Sequence, residues 1–302
     1  MIKRTLYFGN PAYLCCNNQQ LQVERPAEKD KEKERPATIP IEDIGVVILD
    51  HPQITITHHL MHRLLDVNCA LITCDDKHMP AGLLLNLEGN TLQQERFDAQ
   101  IAASVPLKKQ LWANTVSVKI MNQAAILKFR GVKCDNMLHW ASSVKSGDTA
   151  NHEGRAAAYY WQNLFPEEYL FLRDPDGNAP NNLLNYGYAI LRAITARSLV
   201  GSGLLPTLGI FHRNRYNAYC LADDIMEPYR PYVDKLVLEI TDSQEIPEEL
   251  TRELKAKMLA IASIDVNINE QTSPLMVAVQ QTTSSLAKCY LGELRKIIYP
   301  KL

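Results

Sequence analysis

The chain reads as an α+β protein, with a small β-rich N-terminal domain over residues 1–90 and a larger all-helical domain over 91–302. Two patterns carry this reading. Up to about residue 90, short apolar runs alternate with turn formers, as strands do. From Thr91 onward, apolar residues recur at three- and four-residue intervals, as they do along one face of a helix. The length, 302 residues, is enough for two domains that each bury a core.

The strand candidates are Thr5–Phe8, Ala12–Cys15, Val46–Leu49, Ile54–Thr57 and Ala70–Thr73. Gly9-Asn10-Pro11 and Asp50-His51-Pro52 mark turns between them. HHLMHRLLD, His58 to Asp66, breaks the pattern and reads as one short helix. His58 and His62 have ligand-like i, i+4 spacing, but Asp66 is the one acid beside them, so they read as helix surface. The stretch Glu24–Pro36 holds five acids, five bases and no large apolar residue, which predicts a solvated loop between strands.

In the second half, FDAQIAASVPLKKQLWANTVSVKIMNQAAILKF predicts two helices broken at Pro106, with Leu111, Val116, Ile120 and Ala124 on one buried stripe. SVKSGDTAN is a helix-entry loop in which Asp148, Thr149 or Asn151 can serve as N-cap. GRAAAYYWQNLF continues as helix to Pro166. RDPDGNAPNN is a turn-rich loop, and LLNYGYAILRAITARSLVGSG is a long helix closed by glycines.

Composition narrows the function. Hydrophobic residues at 46% and charged residues at 22% fit a soluble globular protein. A net charge of −2 gives no global attraction to nucleic acid, so any DNA contact must come from local Arg and Lys clusters. Seven cysteines, an odd number with no Cys-x-x-Cys pair, point to reduced thiols in a cytoplasm and away from structural zinc. No run is apolar enough for a signal peptide or a membrane span, so a cytoplasmic location without a membrane role is expected. No phosphate-binding Gly-x-x-x-x-Gly-Lys loop, Gly-x-Gly-x-x-Gly unit or Gly-x-Ser-x-Gly elbow is present. His152-Glu153 begins a zinc-protease pattern, but position 156, where the second His belongs, is Ala.

The chemistry concentrates in GIFHRNRYNAYCLADDIMEPYRPYVD and NHEGRAAAYYW. Asp224 and Glu227, three apart, share a helix face, with His212 twelve positions before Asp224. Glu153 supplies a further acid from another helix. Converging, these groups would make an oxygen-rich divalent-cation site with one imidazole, suited to phosphodiester chemistry. Asp224-x-x-Glu227 is equally a capping box ahead of Pro228, and Glu153 equally a first-turn acid at a positive helix end; capping and metal binding can coexist. Arg213, Arg215, Arg192, Arg197 and Arg230, with Lys108, Lys109 and Lys119 on the earlier helix, are either phosphate contacts or a solvated face.

With LWANTVSVKIMNQAAIL, these motifs resemble the CRISPR-associated spacer-acquisition integrase and endonuclease family, in the version found in type II systems, over most of the chain. The resemblance implies a catalytic set of Glu153, His212 and Glu227 holding Mn²⁺ or Mg²⁺, with Mn²⁺ slightly favoured by the imidazole. It gives Asp224 a supporting role and Asp223 no clear counterpart. It implies an enzyme that inserts foreign DNA fragments into a repeat array by 3′-hydroxyl attack on a phosphodiester, with Arg213, Arg215, Arg192 and Arg230 on the DNA backbone. It further implies a homodimer joined through the β domain and a small ferredoxin-like companion protein. Readings that remain beside it are a non-catalytic DNA-binding scaffold and a metal-dependent phosphodiesterase acting on other nucleic acids.

Overall fold

In the computed structural model, described over residues 3–26, 36–166, 171–243 and 246–302, the chain forms two compact units, Met1–Gly89 and Asn90–Leu302. The first holds β1 (Arg4–Phe8), β2 (Ala12–Asn17), β3 (Gln20–Glu24), β4 (Ala37–Pro40), β5 (Ile44–Leu49), β6 (Ile54–Ile56), helix α1 (His58–Asp66), β7 (Ala70–Cys74) and β8 (Pro80–Leu84). They make two four-stranded sheets, ordered β1-β5-β7-β8 and β4-β3-β2-β6. Strand β5, IGVVIL, runs parallel to both its neighbours and is buried from Ile44 to Ile48, which is why it is an unbroken apolar run.

Strands β2 and β3 join through Asn18 and Gln19, both with positive φ, the backbone a two-residue hairpin turn requires. Thr57 caps α1 by accepting from the Leu60 N–H, and Leu60 and Leu64 enter the core with Leu14, Leu21, Ile41 and Leu71. His58, His59 and His62 lie on the exposed side. Of the charged stretch Glu24–Pro36, residues 27–35 lie outside the described residues.

The second unit carries α2 (Gln93–Ala102), α3 (Val105–Phe129), α4 (Asp135–Ser143), α5 (His152–Leu164), α6 (Asn181–Gly201), α7 (Cys220–Met226), α8 (Arg230–Thr241), α9 (Arg252–Leu259) and α10 (Leu275–Tyr290). It is not all-helical. An antiparallel hairpin, β9 (Asp265–Ile268) and β10 (Gln271–Pro274), turns through Asn269 and Glu270 at positive φ. The break between α2 and α3 falls at Ala103–Ser104. Ser104 caps α3, and Pro106 sits in its first turn, where a missing N–H costs no helical bond. Leu111, Val116, Ile120 and Ala124 are buried, but so are Trp112, Thr115, Val118 and Asn122. Helix α3 is therefore a central strut enclosed on most sides, as is α6. No helix among the described residues is long and apolar enough to cross a membrane.

Candidate active site

Four segments of the second unit supply the chemistry, and each is fixed by local bonding. Glu153 lies in the first turn of α5. Asn151, in the left-handed region at φ 52°, caps that helix by accepting from Gly154 N–H at 3.2 Å. Asp148 accepts from the N–H groups of His152 and Glu153 at 3.0 and 2.9 Å, so two of the anticipated caps act together. A Cβ at Gly154 would lie 2.7 Å from the Asn151 side-chain oxygen, so glycine leaves that cap undisturbed.

Asp224 corrects the capping-box reading. It sits inside α7, not at its start, and its fully buried carboxylate turns to the preceding loop. Oδ2 accepts from Ile210 N–H at 2.7 Å and Phe211 N–H at 2.9 Å. Oδ1 accepts from His212 N–H at 3.2 Å and meets His212 Nδ1 at 2.5 Å. One carboxylate thus shapes three consecutive residues and aims the imidazole. Gly209 makes room for this: a Cβ there would stand 2.8 Å from Asp224 Oδ2 and collide with the His212 carbonyl oxygen. On the other side Phe211 stacks parallel on buried Trp112 of α3, with ring centroids 4.3 Å apart, and His212 meets both rings edge-on. The Asp224 hydrogen bond raises the His212 pKa against the opposing effect of burial, with further help from the charges of Asp224, Glu227 and Glu153.

Glu227 follows α7 in a short turn that leads into α8. Asn122 of α3 pins that turn, its Nδ2 donating to the Pro228 carbonyl at 2.8 Å and to the Pro300 carbonyl at 3.2 Å. Between the acids stands Lys119 of α3. Its Nζ lies 2.8 Å from Glu153 Oε1 and 2.6 Å from Glu227 Oε2, so those oxygens are no further apart than the two contacts end to end. Arg230 Nε approaches Glu227 Oε1 at 3.1 Å. Burial would raise the Glu227 carboxyl, yet Arg230 and Lys119 outweigh it and hold the group below its ordinary value. Likewise burial would lower Lys119, but Glu227 and Glu153 keep it above the usual lysine value.

Behind this layer Asp234 of α8 accepts from Tyr160 at 2.8 Å and from the Tyr188 hydroxyl, and Arg230 lies over the Tyr188 ring. Burial pushes the Asp234 carboxyl up to about 6 in spite of those hydrogen bonds and the two arginines near it, Arg230 and Arg173.

The arrangement separates the expected residues by role. Glu153 and Glu227 converge on one positive centre. His212 is held through Nδ1 by Asp224, which leaves Nε2 as the nitrogen able to coordinate, the carboxylate-supported orientation usual for a ligand histidine. Among the described residues, no three His, Cys, Asp or Glu side chains are gathered tightly enough to form a complete ligand set. The donor chemistry nonetheless fits a divalent ion: two carboxylates already enclose a cation, and an oriented imidazole feels both charges.

The arginines divide as well. Arg230 is paired with Glu227, and Arg192 with Asp223 at 2.6 Å, which gives that acid a structural part. Arg213 is exposed and, with Lys108 and Lys109, lines a cavity of about 310 Å³ that includes Phe211. Arg215 is exposed and lies over the Tyr216 ring. Sequence reading missed Asn122 and the carboxylate-bridging place of Lys119. Polar residues inside the buried length of α3 were the available signal.

The family model described as CRISPR associated protein Cas1 matches residues 6–262. The chain is 37% identical over 287 residues to the CRISPR-associated endonuclease Cas1 of Neisseria meningitidis serogroup C (strain 8013), covering 94% of this chain and 91% of that one. In structure it is similar to a casposase bound to integration product, with TM-score 0.78 and 20% identity over 98% of this chain and 92% of that one. It is also similar to a chain of a Cas6-RT-Cas1–Cas2 complex, with TM-score 0.72 and 21% identity, covering 97% of this chain and 35% of the longer one. The motifs around Glu153 and His212, the two-unit fold and the match across most of the sequence agree: the chain belongs to the Cas1 family of CRISPR-associated proteins.

Proposed function

We propose that this protein is a metal-dependent DNA endonuclease and integrase, inserting DNA fragments into a repeat array by attack of a fragment's 3′-hydroxyl on a phosphodiester. The observation that carries the reading is the convergence of Glu153 and Glu227 on one largely buried cation, within electrostatic reach of an imidazole oriented by Asp224. Glu153, Glu227 and Nε2 of His212 would hold Mn²⁺ or Mg²⁺. When bound, such an ion supplies Lewis-acid stabilisation of charge on the phosphate and the leaving oxygen.

The chain's own groups do the rest. Asp224 fixes the His212 ring, and through three backbone N–H groups it fixes the loop that carries the ring. Arg230 and Asn122 hold Glu227 in place. Exposed Arg213 and Arg215, with Lys108 and Lys109, position the phosphate backbone without reading sequence, supplying locally the attraction that a net charge of −2 does not. Arg230 is engaged by Glu227, and Arg192, whose side chain stays partly exposed, by Asp223.

The named relative is an endonuclease, and the casposase carries integration product; both support a phosphodiester-transfer role here. The Cas1–Cas2 complex supports a Cas2-type companion, and we assign the β-rich unit to a homodimer contact. The test is strand transfer of a labelled fragment into a supercoiled repeat-bearing plasmid with Mn²⁺. Glu153→Ala and His212→Ala should each abolish product. Undiminished product from both variants removes the site assignment, and chelator-insensitive DNA binding without any product supports a scaffold instead.

A further inference from the structure

Lys119 stands out among the described cations of the second unit. It projects from the middle of α3, its side chain is 12% exposed, and its ammonium touches one oxygen from each of the two site glutamates. The Glu153 contact is a hydrogen bond. The Glu227 contact is shorter still, 2.6 Å to a buried Oε2, and pairs the ammonium with that oxygen. Arg230 covers the other oxygen of Glu227. Two carboxylates, one ammonium and one guanidinium therefore balance in charge. A divalent ion added among them would bring two further positive charges against one further facing carboxylate, that of Asp224 behind His212, in a largely buried place, which is costly. Arg230 is tied into the Tyr188 and Asp234 layer behind the site, whereas Lys119 is a flexible chain whose contacts are the two carboxylate oxygens themselves.

Resting on the proposed metal site, we infer that Lys119 is the resident counter-cation of the Glu153–Glu227 pair and that a divalent ion binds there only by displacing its ammonium. Lys119 is then a positioning residue with two effects. It keeps the carboxylates together, and it lowers their affinity for the metal.

The measurement is Mn²⁺ binding by calorimetry on the full chain, comparing wild type, Lys119→Met and Glu153→Gln. Glu153→Gln should lose binding at this site. Lys119→Met should bind at least tenfold more tightly than wild type, equivalent to about 1.4 kcal/mol. In chelator it should melt at a lower temperature, because buried Glu227 and half-buried Glu153 lose their cation, and Mn²⁺ should raise its melting temperature more than it raises that of wild type. Unchanged or weaker affinity in Lys119→Met, with Glu153→Gln still abolishing binding, overturns the role of Lys119 and leaves the metal site standing. No Glu153-dependent binding in any protein overturns both. If Lys119→Met does not fold, Lys119→Gln carries the same comparison. Wild type labelled with ¹³C at lysine Cε adds an independent readout: Mg²⁺ should shift the Lys119 resonance, and an unmoved resonance at saturating Mg²⁺ counts against displacement.

Discussion

Replacing Asp224 by Asn keeps the side chain's shape and removes its charge, at a residue whose surroundings admit little else. Four donors face its two oxygens: the N–H groups of Ile210, Phe211 and His212, and Nδ1 of His212. An amide offers a single acceptor oxygen. If that oxygen serves Ile210 and Phe211, the amide NH₂ is pressed against the His212 donors. Two charge-assisted hydrogen bonds are then lost, at ~1.5–3 kcal/mol each. The helical unit should lose roughly 3–6 kcal/mol, which for a domain of this size is a fall in melting temperature of roughly 6–24 °C. The imidazole reports the same event. The Asp224 hydrogen bond is the largest reason that His212 titrates above an ordinary histidine, and burial opposes it. In Asp224→Asn, the His212 titration followed by NMR in chelator should therefore move to lower pH. A histidine whose folded pKa is raised stabilises the fold below its unfolded pKa, and that contribution is lost as pH rises through the folded value. The stability gap between wild type and variant should thus be widest at mildly acidic pH and narrow above the folded His212 pKa. A melting temperature within about 2 °C of wild type, together with an unmoved His212 titration, would refute this account of the loop.

Three further outcomes follow from neighbouring geometry. Gly209→Ala places a methyl group 2.8 Å from Asp224 Oδ2 and against the His212 carbonyl, so it should cost about 1–3 kcal/mol in chemical denaturation and lower strand transfer; full activity with native stability would show that the loop yields freely. Asp234 has its carboxyl pushed from 3.8 up to about 6, so its contribution to stability is complete below 3.8 and lost as pH rises through about 6. Between pH 4 and 7, wild type should lose roughly 2 kcal/mol relative to Asp234→Asn in urea unfolding, and parallel pH profiles would contradict it. Neutralising Lys108, Lys109 and Arg213 to Gln together should weaken DNA binding across unrelated sequences and flatten the logarithmic salt dependence by roughly 0.9 for each phosphate no longer neutralised, whereas an unchanged slope would remove that cavity from the DNA path.

What could be read from the sequence depended on how local the cause was. Strand β5 announces itself as an unbroken apolar run and helix α1 as a break in the strand pattern, although its cap, Thr57, reads as the end of the preceding strand. Strands β3, β4 and β8 do not. QLQVE and ATIP mix polar with apolar residues, and PAGLL opens with Pro and contains Gly; each becomes a strand by pairing with β2, β3 or β7, and none of those pairings is written in its own residues. The β9–β10 hairpin was hidden for the same reason, between helical patterns on either side. At the site, His212, Asp224, Glu227 and Glu153 stand out by residue type and spacing, and it is the family resemblance that selects Glu153, His212 and Glu227 among them. The work of Asp224 does not, because Asp-x-x-Glu is also what a helix start looks like, and only the fold shows three backbone N–H groups gathered on its oxygens. Lys119 reads in sequence as a phosphate contact or a solvated lysine of the same helix as Lys108 and Lys109. Its partners come from α5 and from the turn before α8, which meet α3 only in three dimensions.

The most direct test of the account is a crystal grown with Mn²⁺ and measured at the manganese absorption edge. It should give one anomalous peak held by Glu153, His212 through Nε2, and Glu227, with Asp224 still on Nδ1 and the Lys119 ammonium withdrawn from the two carboxylates. An ion bound elsewhere in the chain, with Lys119 still bridging Glu153 and Glu227, would contradict it.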